Sequence, residues 1–204
     1  MAGDPFCEPP SPVRGCLSSE GVDQAEALCR ALASTHIDFA FTSPFGRAVE
    51  TAERALAERD VKIVRVPGLQ EWMPSKEYRG ATSTEALEME RRDEARYVED
   101  TWKTELGEGC FDVYARVVPA LLGALASIGW HHRFGGWVCD EGTEDATVAV
   151  FAHGGSLNAM LSFILGLPPT PAGRFSFANC GIASVVFRQR RGIMYPQLEL
   201  PSLR

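Results

Sequence analysis

Residues 37–52 constrain this chain more than any other stretch. Ile37-Asp38-Phe39-Ala40-Phe41-Thr42 is mostly apolar and reads as a strand. Ser43 and Pro44 follow at once; serine caps helices and proline suits a first turn. Phe45, Ala48, Val49, Ala52 and Leu56 then recur at helical spacing, so a helix is predicted over 44–58. A strand that runs straight into a helix is the repeating unit of an α/β sheet. Arg47 falls in the first turn of that helix, beside backbone N–H groups that favour anions.

A second junction of the same kind lies downstream. Ala146-Thr147-Val148-Ala149-Val150-Phe151-Ala152 is almost wholly apolar, as a parallel strand covered on both faces would be. It ends at His153-Gly154-Gly155. Ser156 opens an apolar helix over 156–165, closed by Gly166 and Pro168. Ligands of open α/β sheets bind outside the carboxyl ends of the strands. Arg47 and His153 both project from such ends.

The rest of the pattern fills in around these junctions. Residues 1–16 are rich in proline and glycine and read as loop. A helix is predicted over 19–34, with Val22, Ala25, Leu28, Cys29 and Leu32 on one face. A short strand is predicted over 61–66, irregular chain over 72–82, and a charged helix over 84–105. Phe111, Tyr114, Val117, Val118, Leu121, Leu122 and Leu125 mark another helix, bent at Pro119. Residues 129–145 read as an insertion before strand 146–152, and a last strand is predicted near 182–188. No repeat or linker breaks the pattern, so residues 1–204 read as a single domain.

The motifs resemble those of the histidine phosphatase superfamily, also called phosphoglycerate-mutase-like. The family's S-P-x-x-R-A-x-x-T-A is present at Ser43 to Ala52. Its S-H-G-G before an apolar helix ending L-G-L-P is similar to Ala152-His153-Gly154-Gly155 and Leu165-Gly166-Leu167-Pro168. Its L-T-x-x-G-x-x-Q-A is similar to Leu17-Ser18-Ser19-Glu20-Gly21-Val22-Asp23-Gln24-Ala25. Its L-x-E with a downstream glycine is similar to Leu69-Gln70-Glu71 with Arg79-Gly80, and Asn179-Cys180-Gly181-Ile182 looks like its turn into the last strand.

The resemblance implies a three-layer α/β/α fold, with a mostly parallel sheet and helices on both faces. It also implies phosphomonoester hydrolysis, or phosphoglycerate-mutase-like phosphoryl transfer, on a small phosphorylated metabolite. In the family a histidine attacks phosphorus and forms a phosphohistidine. Arg47 maps onto a phosphate-binding arginine. His153 maps onto the second histidine, which stabilises phosphoryl charge. Glu71 maps onto the proton donor, with Glu77 as its neighbouring rival. Gly154 and Gly3 map onto backbone that approaches the phosphate. No cofactor or metal is implied.

One departure stands out. The family opens with an apolar strand and R-H-G, whose histidine is the nucleophile. Aligned on Gly3-Asp4-Pro5, Met1-Ala2 stand where Arg-His would be. The other anchor, Val13-Arg14-Gly15, lies too close to Leu17 for the family's spacing. The expectation is a nucleophile position filled by Ala2, a first central strand that is missing, and impaired turnover. The alternatives are a non-catalytic phospholigand-binding pseudoenzyme and an incomplete gene model of an active phosphatase.

Composition narrows the partners. A formal net charge of −7 argues against nucleic acid and against an anionic membrane surface. No apolar run approaches the roughly 20 residues that span a bilayer. The six cysteines include no C-x-x-C pair, which argues against a zinc site, and a cytoplasmic setting is the expectation. No feature of the sequence sets an oligomeric state.

Rival nucleophiles fare poorly. His36 begins the first predicted strand, at the end away from Ser43. His131 and His132 fall in the insertion. Cys110 and Arg116 have the spacing of a cysteine-dependent phosphatase, yet residues 111–115 carry no glycine and follow a helical pattern. Cys7 and Cys16 read as loop residues.

Overall fold

The computed structural model describes residues 17–96, 102–133, 135–170 and 173–198. The expectations placed on Met1, Ala2, Gly3 and the first strand lie outside these residues.

Helix α1, Ser19–Leu32, starts where Ser18 accepts a hydrogen bond from the Gly21 N–H at 3.1 Å. Strand β1, Phe39–Thr42, leads into α2, Gly46–Ala55, and then into β2, Ile63–Arg65. A five-residue helix, α3, covers Lys76–Gly80 within the stretch expected to be irregular. The Ser75 hydroxyl makes this possible by accepting the Tyr78 N–H at 3.0 Å. Helix α4, Ser83–Arg96, opens on Thr82, whose hydroxyl and N–H bond reciprocally with Glu85. Helix α5, Cys110–Ala126, carries Pro119 within it.

Residues 129–145, read as an insertion, contain a β-hairpin. Strand β3, Trp130–Arg133, pairs antiparallel with β4, Gly136–Cys139. Strand β5, Val148–Phe151, and helix α6, Gly154–Ile164, form the second junction. Gly166 closes α6 at φ +69°, a conformation glycine adopts without penalty. The last predicted strand is β6, Val185–Arg190, and it turns back as β7, Ile193–Leu198.

Two sheets result. The parallel sheet has the order β2-β1-β5, and the antiparallel one has the order β3-β4-β7-β6. The expected mostly parallel sheet thus accounts for three described strands, and four others pair antiparallel. The polar alternation of 129–139 and 185–198 allows one face of that second sheet to meet water. Among the described residues β5 pairs on one side only, with β1, in register from Phe39–Val148 to Thr42–Phe151.

The parallel sheet is covered on both faces. Val148 and Val150 pack on the cluster built by Val113, Val117, Leu121 and Met160 of α5 and α6. Ala149 and Phe151, the alternate residues, pack on the cluster of Ile37, Ala40 and Leu56. This two-sided packing is why strand 146–152 has no polar face. It also fixes the carboxyl ends of β1 and β5 side by side, with the starts of α2 and α6 above them.

Candidate active site

The site begins at those two strand ends. Thr42, the last residue of β1, and Ser43 after it are completely buried. Ser43 was expected to cap α2 and does not; the helix starts three residues later, at Gly46. The Ser43 hydroxyl instead accepts the Phe45 N–H at 3.3 Å, which tightens the turn. It also lies 2.8 Å from His153 Nε2. A serine and a histidine 110 residues apart are joined across the two junctions.

His153 is held from several directions. It is the residue before α6, and its N–H donates to the Ser156 hydroxyl at 3.1 Å. Its ring packs on Phe45 with centroids 5.4 Å apart. The ring is almost fully buried. Burial first, then the positive charges of Arg47 and Arg116, push its pKa down to about 3. The imidazole is therefore neutral at physiological pH, and it presents one donor and one acceptor nitrogen.

Arg47 sits in the first turn of α2, half-buried, with its guanidinium carbon 5.2 Å from the centre of the Phe45 ring. Phe45 thus touches both Arg47 and His153.

Glu71 arrives on the loop after β2. The Gly155 N–H, in the first turn of α6, donates to both carboxylate oxygens, at 3.1 and 3.2 Å. The Trp72 N–H donates to Oε1 at 2.8 Å. A Cβ at position 155 would collide with Glu71 Oε1, so the carboxylate requires a glycine there. Gly154, the glycine expected to approach phosphate, lies next to this donor, and its carbonyl accepts from Asn158. Glu77, the rival acid, lies in the first turn of α3 and lines a different cavity with Gly80 and Arg92.

The loop carrying Glu71 is clamped from behind by Arg116 of α5. Arg116 donates to the carbonyls of Gly68, Gln70 and Glu71 at 2.8, 3.1 and 3.2 Å. It also makes a bidentate pair with Glu108 at 2.8 and 2.6 Å. Glu108 in turn accepts the Met73 N–H at 3.0 Å. Sequence reasoning treated Arg116 only as the partner of Cys110. That pairing dissolves here, because one helix carries both residues and burial raises the Cys110 thiol pKa. Sequence reasoning used Ser43 and Gly155 only as cap or motif positions, and their contacts with His153 and Glu71, like the Arg116 clamp, join segments distant in the chain.

The other histidines are engaged elsewhere. His36 is exposed and lies 2.9 Å from Asp38 Oδ1. His131 lies 3.5 Å from Asp140 Oδ1, and the His132 ring packs between Trp137 and Phe163. Among the described residues no group of three or more His, Cys, Asp or Glu side chains gathers to hold a metal ion. No described helix is long and apolar enough to cross a membrane.

A cavity of about 360 Å³ opens beside Glu71. Gly155 and Trp72, its two backbone donors, line that cavity, together with residues of α4, α5 and α6. The arrangement offers a cationic and hydrogen-bonding corner at Arg47 and His153, an acid next to it, and room beyond the acid.

Comparison with known proteins agrees with the fold and with the family that the motifs resemble. Residues 13–195 match the model of the histidine phosphatase superfamily (branch 1). The chain is 26% identical over 180 residues to phosphoserine phosphatase 1 of Hydrogenobacter thermophilus, a match that covers 87% of this chain and 78% of that one. It is 25% identical over 173 residues to the probable phosphoglycerate mutase GpmB of Yersinia enterocolitica, covering 85% and 74% of the two chains. Its fold is similar to that of a mycobacterial glucosyl-3-phosphoglycerate phosphatase solved with inorganic phosphate. There the TM-score is 0.69 at 22% identity, covering 90% of this chain and 86% of that one.

Proposed function

Because the chain belongs to the histidine phosphatase superfamily, we propose that its site binds the phosphoryl group of a small phosphorylated metabolite. The reading is phosphomonoester hydrolysis, with turnover impaired in the chain as written. The observation that carries the binding is the convergence of Arg47, neutral His153 and the Glu71–Gly155 contact at adjacent strand ends. The two sequence relatives, a phosphatase and a probable mutase, support a phosphorylated small molecule as substrate.

In this reading Arg47 balances the charge of the phosphoryl oxygens. Neutral His153 donates to one of them. Glu71 stands where a leaving oxygen would emerge, on the way to the cavity, and moves the proton there. Anchored on Gly3-Asp4-Pro5, the sequence puts Ala2 where the family has its nucleophilic histidine, and among the described residues the other histidines make their contacts away from the site. That supports slow turnover. Loss of the nucleophile in a serine protease costs on the order of a million-fold in turnover, which sets the scale of the expected deficit.

Calorimetry with inorganic phosphate or vanadate tests the binding. Wild type is expected to bind, and Arg47→Ala to bind far more weakly. Equal affinity in the two proteins would remove Arg47 from the site. Phosphate release from an aryl phosphate tests the chemistry. Rates typical of phosphatases, abolished in an Arg47→Ala, His153→Ala double variant, would overturn the impaired reading.

A further inference from the structure

The bond between Ser43 and His153 has a direction, and its surroundings decide which. The Ser43 hydroxyl lies 2.8 Å from His153 Nε2, a contact in which either partner can donate. Ser43 is completely buried, shut off from bulk solvent. Its N–H donates to the Phe151 carbonyl at 2.8 Å. That bond continues the β1–β5 pairing one residue past Thr42 and holds the serine beside the strand that leads to His153. Among the described residues its hydroxyl has two polar contacts: His153 Nε2, and the Phe45 N–H at 3.3 Å.

The Phe45 N–H can only donate, so it fills one lone pair of Ser43 Oγ. Were Nε2 also protonated, two N–H groups would point at the same oxygen. The hydroxyl hydrogen would then be buried without an acceptor, a state that native proteins rarely keep. With the hydroxyl donating to Nε2, all three groups are satisfied. The neutral imidazole carries one hydrogen, which is then on Nδ1. His153 precedes α6 without a side-chain cap bond, and Ser156 serves its backbone instead. The Ser156 hydroxyl accepts the His153 N–H at 3.1 Å and donates to its carbonyl at 3.2 Å.

The tautomer matters for an anion. A phosphoryl oxygen accepts hydrogen bonds, and the lone pair of a bare ring nitrogen repels it. With Nε2 held by Ser43, the ring attracts such an oxygen only when its hydrogen is on Nδ1.

We infer that Ser43 is a positioning residue: its hydroxyl donates to His153 Nε2 and keeps the single ring hydrogen on Nδ1, ready for a phosphoryl oxygen. The use of that hydrogen rests on the phosphoryl-binding reading of Arg47 and His153; the tautomer itself does not.

Nitrogen NMR of the full chain with labelled imidazoles, at neutral pH, reads the tautomer directly, because a ring nitrogen bearing hydrogen and a bare one resonate far apart. The chain has four histidines, and His153→Gln identifies the His153 signals by their loss. Wild type is expected to carry its hydrogen on Nδ1. Ser43→Ala is expected to show a mixture of both tautomers, a change that a serine needed only for packing would not cause. Hydrogen on Nε2 in wild type, a result that depends on no variant folding, would overturn the assignment. So would an unchanged Nδ1 signal in Ser43→Ala. Calorimetry with inorganic phosphate is the second reading. Ser43→Ala is expected to bind about tenfold more weakly than wild type, the scale of one hydrogen bond to a charged group. Equal affinities would overturn the link between the tautomer and the anion. Failure of wild type to bind phosphate would overturn the phosphoryl reading and leave the tautomer in place.

Discussion

Acid should destabilise this protein through His153, and the structure sets the size of the effect. The ring is 8% exposed, and its pKa falls from 6.5 to about 3 because burial and two arginine charges disfavour the imidazolium. In the unfolded chain the same ring titrates near its ordinary value of about 6.5. Between those values the unfolded state binds more protons than the folded one, so stability rises with pH across the window. Read downward, stability begins to fall near pH 6.5 and keeps falling until the buried ring itself protonates, near pH 3. At about pH 4 the unfolded ring is almost wholly charged and the buried ring almost wholly neutral, a difference worth about 3 kcal/mol. That is a large part of a total stability of about 5–15 kcal/mol. Urea unfolding followed by tryptophan fluorescence, repeated from pH 7 down to pH 4.5, measures the slope. His153→Gln serves as the control: other acid-sensitive groups titrate in both proteins, so only the His153 share of the slope should vanish. Phosphate adds a second arm. An anion lodged between Arg47 and His153 favours the charged ring, so saturating phosphate is expected to flatten the slope in wild type and not in His153→Gln. Identical slopes in the two proteins would refute the burial argument. A slope indifferent to phosphate would refute the placement of the anion.

Other perturbations probe the remaining parts of the site. Gly155→Ala drives a methyl into the Glu71 carboxylate and is expected to weaken phosphate binding and cost about 1–3 kcal/mol of stability, read by denaturant unfolding; a neutral result would show that the loop yields easily. Arg116→Ala removes three carbonyl bonds and strands Glu108, so a loss of about 2–4 kcal/mol is expected, and retention of the wild-type melting curve would show the clamp to be dispensable. In any form of the protein with measurable turnover, Glu71→Gln is expected to slow esters with poor leaving groups more than those with good ones, while Glu77→Gln does not; the reverse ranking would exchange their roles. Ser43→Ala leaves His153 Nε2 without its partner and is expected to cost about 1–2 kcal/mol in thermal or urea unfolding.

Much of this protein was legible in its sequence because the signals are local. Ile37–Thr42 and Ala146–Ala152 have strand patterning, and each runs directly into an apolar helical repeat. Those features place Arg47 and His153 at strand ends by chain geometry alone. Glu71 was singled out by motif resemblance, and the structure sets it against Gly155 while Glu77 lines a different cavity. The α2 start was misread because serine before proline is a common capping signal, whereas here burial beside His153 directs the hydroxyl to the turn and the imidazole. The hairpin of β3 and β4 was missed within the segment read as an insertion because its strands are only four residues each; pairing with β7 ties it into a sheet.

What the sequence determined by itself is the βα order of the chain and the residue types available at each strand end. Local hydrogen bonding and hydrophobic period settle both, and neither needs distant residues. Tertiary structure alone decided the chemistry of those residues. His153 is neutral because burial strips the solvation its charged form needs and the nearby arginine charges repel that form. Glu71 faces Gly155 because Arg116, 45 positions later, fastens its loop by three carbonyls. Burial, charge proximity and close approach are properties of contacts between distant segments, and no local pattern in the chain encodes them.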